Sequence, residues 1–371
     1  MSAMNPFEYY FAELIRCAGV AYLTIAILLA LIKAPSTDEF KPYRKAKRLL
    51  TCSFATMSLN LFLWCMLTNG KWHEFNYSIA AVDISLFYLL YMLLCNSYCI
   101  LLNKNYVTSR RFVIAISVWL LTSLIAFSAL LEPLREWRNA LTLTALCLLI
   151  AYIVKFVYSF FREYRRYRQK LENYFTDDMQ RFARWIMVSV VMCIVSWCLA
   201  IATMFGSVYF NWVYQFYVIS LNVYIAVSFV NYSSKYGILV KAEPEYASGE
   251  EMADEKNSGA ERETIEKKIQ AWTEKKRYLS DQFTLEDLAQ VLGTNKNYLS
   301  YHINEKYGMS FSSWISEMRI DEAKRMMKEN PDRKLENIAF SVGFSSASYF
   351  SKVFSLHEGV SPMRWRKEEL G

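Results

Sequence analysis

The chain has 371 residues, 54% of them hydrophobic and 21% charged, with a mean hydropathy of +0.10 and a formal net charge of +7. These values exclude a highly charged disordered polymer and a short disulfide-stapled scaffold, and the length leaves room for two or three domains. The averages hide a partition, because nearly all long apolar runs lie before Tyr236 and most acidic residues lie after it.

Seven apolar segments near the ~20 residues needed to cross a bilayer fall at 9–32, 49–68, 78–102, 112–131, 140–161, 185–205 and 212–230. The first has no basic lead-in and no convincing small-residue cleavage site, so it reads as a retained span rather than a signal peptide. Basic residues collect in alternate loops. Lys33, Lys41, Arg44, Lys45, Lys47 and Arg48 follow the first span, Lys104, Arg110 and Arg111 the third, and a run over 162–170 the fifth. By the positive-inside rule the N-terminus faces out and the C-terminus faces the cytoplasm.

All eight cysteines lie in the apolar half, at spacings that suggest small hydrophobes rather than disulfides or a metal site. No cofactor and no metal are expected. Charged residues inside spans are costly and each needs a reason. Lys155 lies near the inner end of the fifth span and can snorkel. Glu13, Arg16 and Asp83 could meet in an outward-facing polar pocket for a ligand, or pair with one another and only lock the bundle.

From 241 to 261 the chain turns acidic and poor in large apolar residues. Such a stretch cannot offset its ordering entropy and is expected to be a mobile tether of about 25 Å. Ile265, Ile269, Trp272 and Leu279 then recur at helical spacing among lysines. This face suits either packing on the next domain or a seam with a second copy of the chain.

The last stretch says the same thing twice. Leu285-Glu286-Asp287-Leu288-Ala289 returns as Leu335-Glu336-Asn337-Ile338-Ala339, Gly293 returns as Gly343, and Leu299 returns as Tyr349, each fifty residues on. The copies close with Gly308-Met309-Ser310-Phe311 and Gly359-Val360-Ser361-Pro362. A small Ala, a Gly four residues later and a large apolar residue six beyond it are what a helix-turn-helix needs. Between the copies, Trp314, Ile315, Met318, Ala323 and Met326 give an apolar face to one helix from Phe311 to about Lys328. A helix of that length, roughly 27 Å at ~1.5 Å per residue, would set two recognition helices near one DNA turn apart. The first would begin near Asn295 and offer Lys296, Asn297, Ser300 and Tyr301. The second would begin near Ser345 and offer Ser346, Ala347, Ser348 and Lys352.

These motifs, with Tyr298-Leu299-Ser300, Arg319-Ile320, Ser348-Tyr349-Phe350-Ser351-Lys352 and Trp365-Arg366, resemble the DNA-binding domain of the AraC/XylS-type transcriptional regulators. The resemblance covers about a quarter of the chain. It implies two helix-turn-helix units and base-reading positions at Asn297, Ser300, Tyr301, Ala347, Ser348 and Lys352. It implies nothing about what the N-terminal half senses.

The expected architecture is all-α. It comprises a seven-helix transmembrane bundle over 1–236, an acidic flexible linker over 237–263, a lead-in helix over 264–282, and a cytoplasmic double helix-turn-helix domain over 283–371. The expected function is a membrane-anchored, one-component transcription regulator in a prokaryotic inner membrane, with the bundle as sensor. Its partners are double-stranded DNA and membrane lipid, with self-association and a signal ligand or membrane partner left open. The alternative is a receptor or transporter-like protein whose C-terminal domain recruits other proteins. An enzyme is not expected, since the three histidines are scattered and no phosphate loop or nucleophile elbow is present.

Overall fold

The computed structural model describes residues 6–68, 76–176, 179–203, 208–240, 259–280 and 283–370. Every regular element among them is helical, and no strand forms beyond one isolated bridge between Phe175 and Thr284. The chain divides into two compact units. The first holds residues up to Tyr167 together with 182–237, and the second holds 168–181 together with 238–371. Most of the acidic linker, 241–258, lies outside the described residues.

The first unit is built from α1 (Pro6–Leu31), α2 (Lys41–Thr68), α3 (Tyr77–Leu102), α4 (Ser109–Ser128), α5 (Arg138–Glu172), α6 (Arg184–Thr203) and α7 (Val208–Leu239). Six of these segments are long and apolar enough to cross a membrane, while the apolar stretch of α6, Arg184–Ala200, is shorter. Asn76 caps α3 by accepting from the Ser78 N–H, and Thr108 caps α4 by accepting from the Arg111 N–H.

Packing inside this unit relies on small polar side chains that reach neighbouring backbones. Ser58 Oγ donates to the Gly19 carbonyl at 2.7 Å, Ser53 Oγ to Leu90 at 3.2 Å and Ser97 Oγ to Ala46 at 2.9 Å. Tyr43 lies flat against Phe229 and donates its hydroxyl to that residue's carbonyl at 3.1 Å. The outward faces, in contrast, carry Leu124, Leu143, Val154, Val213 and Val227, all more than half exposed. The buried positions of this unit mix apolar side chains with small polar ones, while large apolar side chains also stand exposed on its outward faces, where a water-soluble bundle would carry polar ones.

The second unit begins with α8 (Gly259–Glu274). Two helix pairs follow: α9 (Leu285–Leu292) with α10 (Lys296–Tyr307), and α12 (Leu335–Ser341) with α13 (Ala347–Glu358). Between the pairs runs α11 (Phe311–Glu329), and α14 (Pro362–Leu370) closes the chain. The apolar face of α8 is buried within the chain. Ile265, Ile269 and Trp272 are all under a tenth exposed, Trp272 stacks on Trp314 at 6.1 Å, and Lys268 Nζ donates to the Leu292 carbonyl at 2.8 Å. Of the two uses open to that face, packing on the adjoining domain is the one observed.

The central helix α11 belongs to both pairs. Phe311, Trp314 and Ile315 near its start are buried, with Phe311 against the Phe283 ring and Trp314 against those of Tyr307 and Trp272. Ile320, Ala323 and Met327 near its end enter a second core with Ile338, Ala339, Phe344, Phe350, Phe354 and Trp365. One helix therefore holds both pairs at a set spacing.

Candidate nucleic-acid interface

Each helix pair is set by local chemistry. A capping box opens α9, with Thr284 Oγ1 accepting from the Asp287 N–H at 3.2 Å and Asp287 Oδ2 accepting from the Thr284 N–H at 2.8 Å. The helix stops at Gly293, whose φ of +67° is left-handed. The equivalent Gly343 has φ +90°, and a Cβ there would stand 2.6 Å from the Leu279 carbonyl oxygen. Only glycine fits that turn.

Both recognition helices start where their capping residues allow. Asn295 Oδ1 accepts from the Asn297 N–H at 2.7 Å, and Ser346 Oγ accepts from the Tyr349 N–H at 3.2 Å. The repeat is not uniform, however. The start of α12 lies fifty residues after that of α9 (335 against 285), but α13 starts fifty-one after α10 (347 against 296). The buried equivalent of Leu299 is therefore Phe350, both fully enclosed, and Tyr349 is only half-buried. The longer second turn shifts the register by one residue.

The expected contact residues divide by exposure. On α10, Tyr301 is exposed and donates its hydroxyl to Glu305 at 3.2 Å, while Asn297 and Ser300 are half-buried. Lys296 is turned inward, with Nζ 3.9 Å from Glu286 and 6.0 Å above the Tyr174 ring. On α13, Ser348 and Lys352 are exposed, Ala347 packs against the second core, and Ser346 spends its hydroxyl on capping. Lys352 has no hydrogen bond or ion pair among the described residues, so its charge is free to meet a phosphate. Asn304 and Ser351, also exposed, extend the same two faces. Their spacing, four residues beyond Ser300 and Ala347, is the helical signal that would have found them.

A contact that sequence reasoning missed lies beside Lys296. The segment after α5 pairs with the start of α9: the Leu285 N–H donates to the Tyr174 carbonyl at 2.9 Å, and Thr176 Oγ1 donates to the Phe283 carbonyl at 3.1 Å. Tyr174 Oη donates to Glu286 at 2.6 Å. Burial, and then that bond, push the Tyr174 phenol well above its ordinary range.

The polar residues of the first unit separate. Glu13 and Arg16 pair with each other, and Asp83 Oδ1 accepts instead from Asn60 Nδ2 at 2.8 Å. Among the described residues, no hydrogen bond or ion pair joins Asp83 to Glu13 or Arg16. Among the described residues, no group of His, Cys, Asp or Glu could hold a metal, and all eight cysteines are free.

Comparison with known proteins agrees with this geometry. Residues 288–368 match the family model of a helix-turn-helix domain. The chain is 35% identical over 101 residues to an uncharacterized HTH-type transcriptional regulator, YisR, of Bacillus subtilis (strain 168), covering 26% of this chain and 34% of that protein. It is 32% identical over 89 residues to the HTH-type transcriptional activator RhaR of Klebsiella pneumoniae, covering 24% of this chain and 31% of the relative. Against the HTH-type transcriptional regulator ExsA of Pseudomonas aeruginosa the identity is 34% over 92 residues, 25% of this chain and 32% of the relative. The chain thus spans about a third of the length of each of these three relatives. No solved structure matches it. By name, all three relatives are HTH-type transcriptional regulators or activators.

Proposed function

We propose that this chain is a membrane-anchored transcription regulator, with a multi-span sensor over 1–236, a tether over 237–263, a lead-in helix over 264–282 and a cytoplasmic DNA-reading head over 283–371. The observation that carries the reading is the continuity of two surfaces in one polypeptide. One unit exposes large apolar side chains on its outward faces and satisfies its buried small polar groups on neighbouring helices, as a bilayer solvent requires, and the other carries two capped recognition helices on a shared central helix. The 19 residues of that central helix amount to about 28 Å, which suits two neighbouring major-groove segments on one DNA face. A chain that meets both membrane and chromosome belongs in a prokaryotic inner membrane.

The head holds 12 Lys and Arg against 12 Asp and Glu from Phe283 onward. Several of those cations are already engaged, including Lys324 with Asp321 and Glu358, and Arg364 with Glu368. Sequence-independent affinity is therefore modest, and two heads on one DNA site would supply what one lacks. A stimulus that changes pairing of the bundles would then change occupancy of the operator.

Two measurements test this together. The full chain, floated on a density gradient, is expected in the membrane fraction. Gel shifts of fragment 259–371 on the DNA upstream of its own gene are expected to show binding, weakened about tenfold by Asn297→Ala or Lys352→Ala. Absence of a shift, or shifts by both variants equal to that of the parent, would favour a protein-recruiting tail.

A further inference from the structure

Lys155 of α5 sits within an apolar segment of the first unit and has no hydrogen bond or ion pair among the described residues. It lines a cavity of about 590 Å³ enclosed by α3, α4 and α5. Two more cations, Arg111 and Arg162, line the same space, and no lining residue is acidic. Among the described residues, the Arg111 side chain is engaged by the Tyr106 carbonyl at 3.0 Å and by that residue's ring. Arg162 has the buried Glu163 at 3.5 Å, but Glu163 is also shared with Arg166 and Asn103. Arg111, Lys155 and Arg162 are all exposed, so the cavity presents three cations with no acidic residue in its lining to offset them.

The cavity is also graded. α4 and α5 are consecutive and antiparallel, so Arg111 near the start of α4 faces the Arg162 end of α5, while Val118 faces the Leu148 end. One end is basic and the other apolar. Ile114 and Val118 on its wall are exposed at the outer surface of the unit, so the space opens sideways rather than into a water-facing mouth.

We infer that this cavity binds an anionic membrane phospholipid, its phosphate held by Arg111, Lys155 and Arg162 and one acyl chain lying on Ile114, Val118 and Leu148. A phosphate satisfies several cations at once, a lateral opening admits a ligand from the bilayer, and basic pockets between spans at the inner leaflet suit such headgroups. The inference rests on the membrane reading above.

The test uses the full chain purified in neutral detergent, with native mass spectrometry recording bound phosphatidylglycerol, phosphatidylcholine, a long-chain fatty acid or inorganic phosphate. Retention of one phosphatidylglycerol in preference to the other three is expected. Lys155→Gln should weaken it about tenfold, the loss expected when one charge-assisted contact is removed. Val118→Trp, which fills the apolar end, should weaken it as well, while Lys33→Gln, an equal change of charge on an exposed loop, should not. Equal retention of phosphatidylcholine, preference for fatty acid or free phosphate, or indifference to Lys155→Gln and Val118→Trp overturns the site. Flotation of the same preparations separates the two failures. A chain that floats with membranes but holds no phosphatidylglycerol refutes the site alone, and a chain left in the soluble fraction refutes both.

Discussion

Arg319 offers the sharpest test of how the two helix-turn-helix units are held. It lies in the middle of α11, is fully buried, and donates from Nε to the Tyr278 carbonyl at 2.9 Å and from Nη2 to the Ser280 carbonyl at 2.7 Å. Its guanidinium also lies 5.8 Å from the Phe283 ring and 5.6 Å from the Phe344 ring, so one side chain touches the lead-in segment and both units. Arg319→Met keeps the volume and removes the charge but strands two buried carbonyls. At about 1–3 kcal/mol for each unsatisfied group, partly offset by the apolar replacement, the loss is about 2–4 kcal/mol. For a domain of this size the unfolding midpoint should fall by about 10 °C or more. Circular dichroism melts of fragment 259–371 measure it directly. Arg319→Lys should lose roughly half as much, because an ammonium can reach a carbonyl but cannot stack between two rings. A Met variant melting within about 2 °C of the parent would refute the assignment of Arg319 as the lock between units.

Three further outcomes follow from particular contacts. Gly343→Ala should cost more than the ~1–3 kcal/mol of a strained backbone conformation, because its Cβ would press on the Leu279 carbonyl, and the same melts would show it. Glu322, half-ringed by Lys276 at 2.8 Å and Arg325 at 2.5 Å, has its carboxyl held below the usual range by the Arg325 bond first and Lys276 next. A carboxyl with a lowered folded pKa stabilises above its unfolded value and loses that contribution as pH falls through the folded one. The parent fragment should therefore lose more stability than Glu322→Gln between about pH 5 and about pH 3, and parallel profiles would refute this. Tyr174→Phe removes the bond to Glu286, and hydrogen exchange of the full chain should show faster exchange at the Leu285 amide, which donates to the Tyr174 carbonyl. Unchanged protection there would mean that the backbone pairing alone holds the segment.

Legibility in the sequence tracks how local the cause of each feature is. The turn glycines, the helix start at Asn295 and the apolar spacing along α11 act within a few residues, and each stands where its pattern predicts. The one-residue slip that makes Phe350 rather than Tyr349 the equivalent of Leu299 arises in the turn before α13. A repeat read only from matching letters passes over it. Periodicity identified an apolar face on α8, but only the tertiary packing of Trp272 on Trp314 shows what covers it.

The least legible features join distant parts of the chain. Tyr174 meets Glu286 across a separation of 112 residues, and Asn60 claims Asp83 from a neighbouring helix. Neither pairing is signalled by the spacing of its residues in the sequence. Lys296, at the head of the first recognition helix, carries donors suited to a phosphate, yet Glu286 and the Tyr174 ring hold its ammonium inside the domain. Lys352, the lysine of the second recognition helix, has no hydrogen bond or ion pair among the described residues. The two units therefore share one backbone plan but present unequal charge, so the second should contribute the larger share of the salt-dependent affinity for DNA.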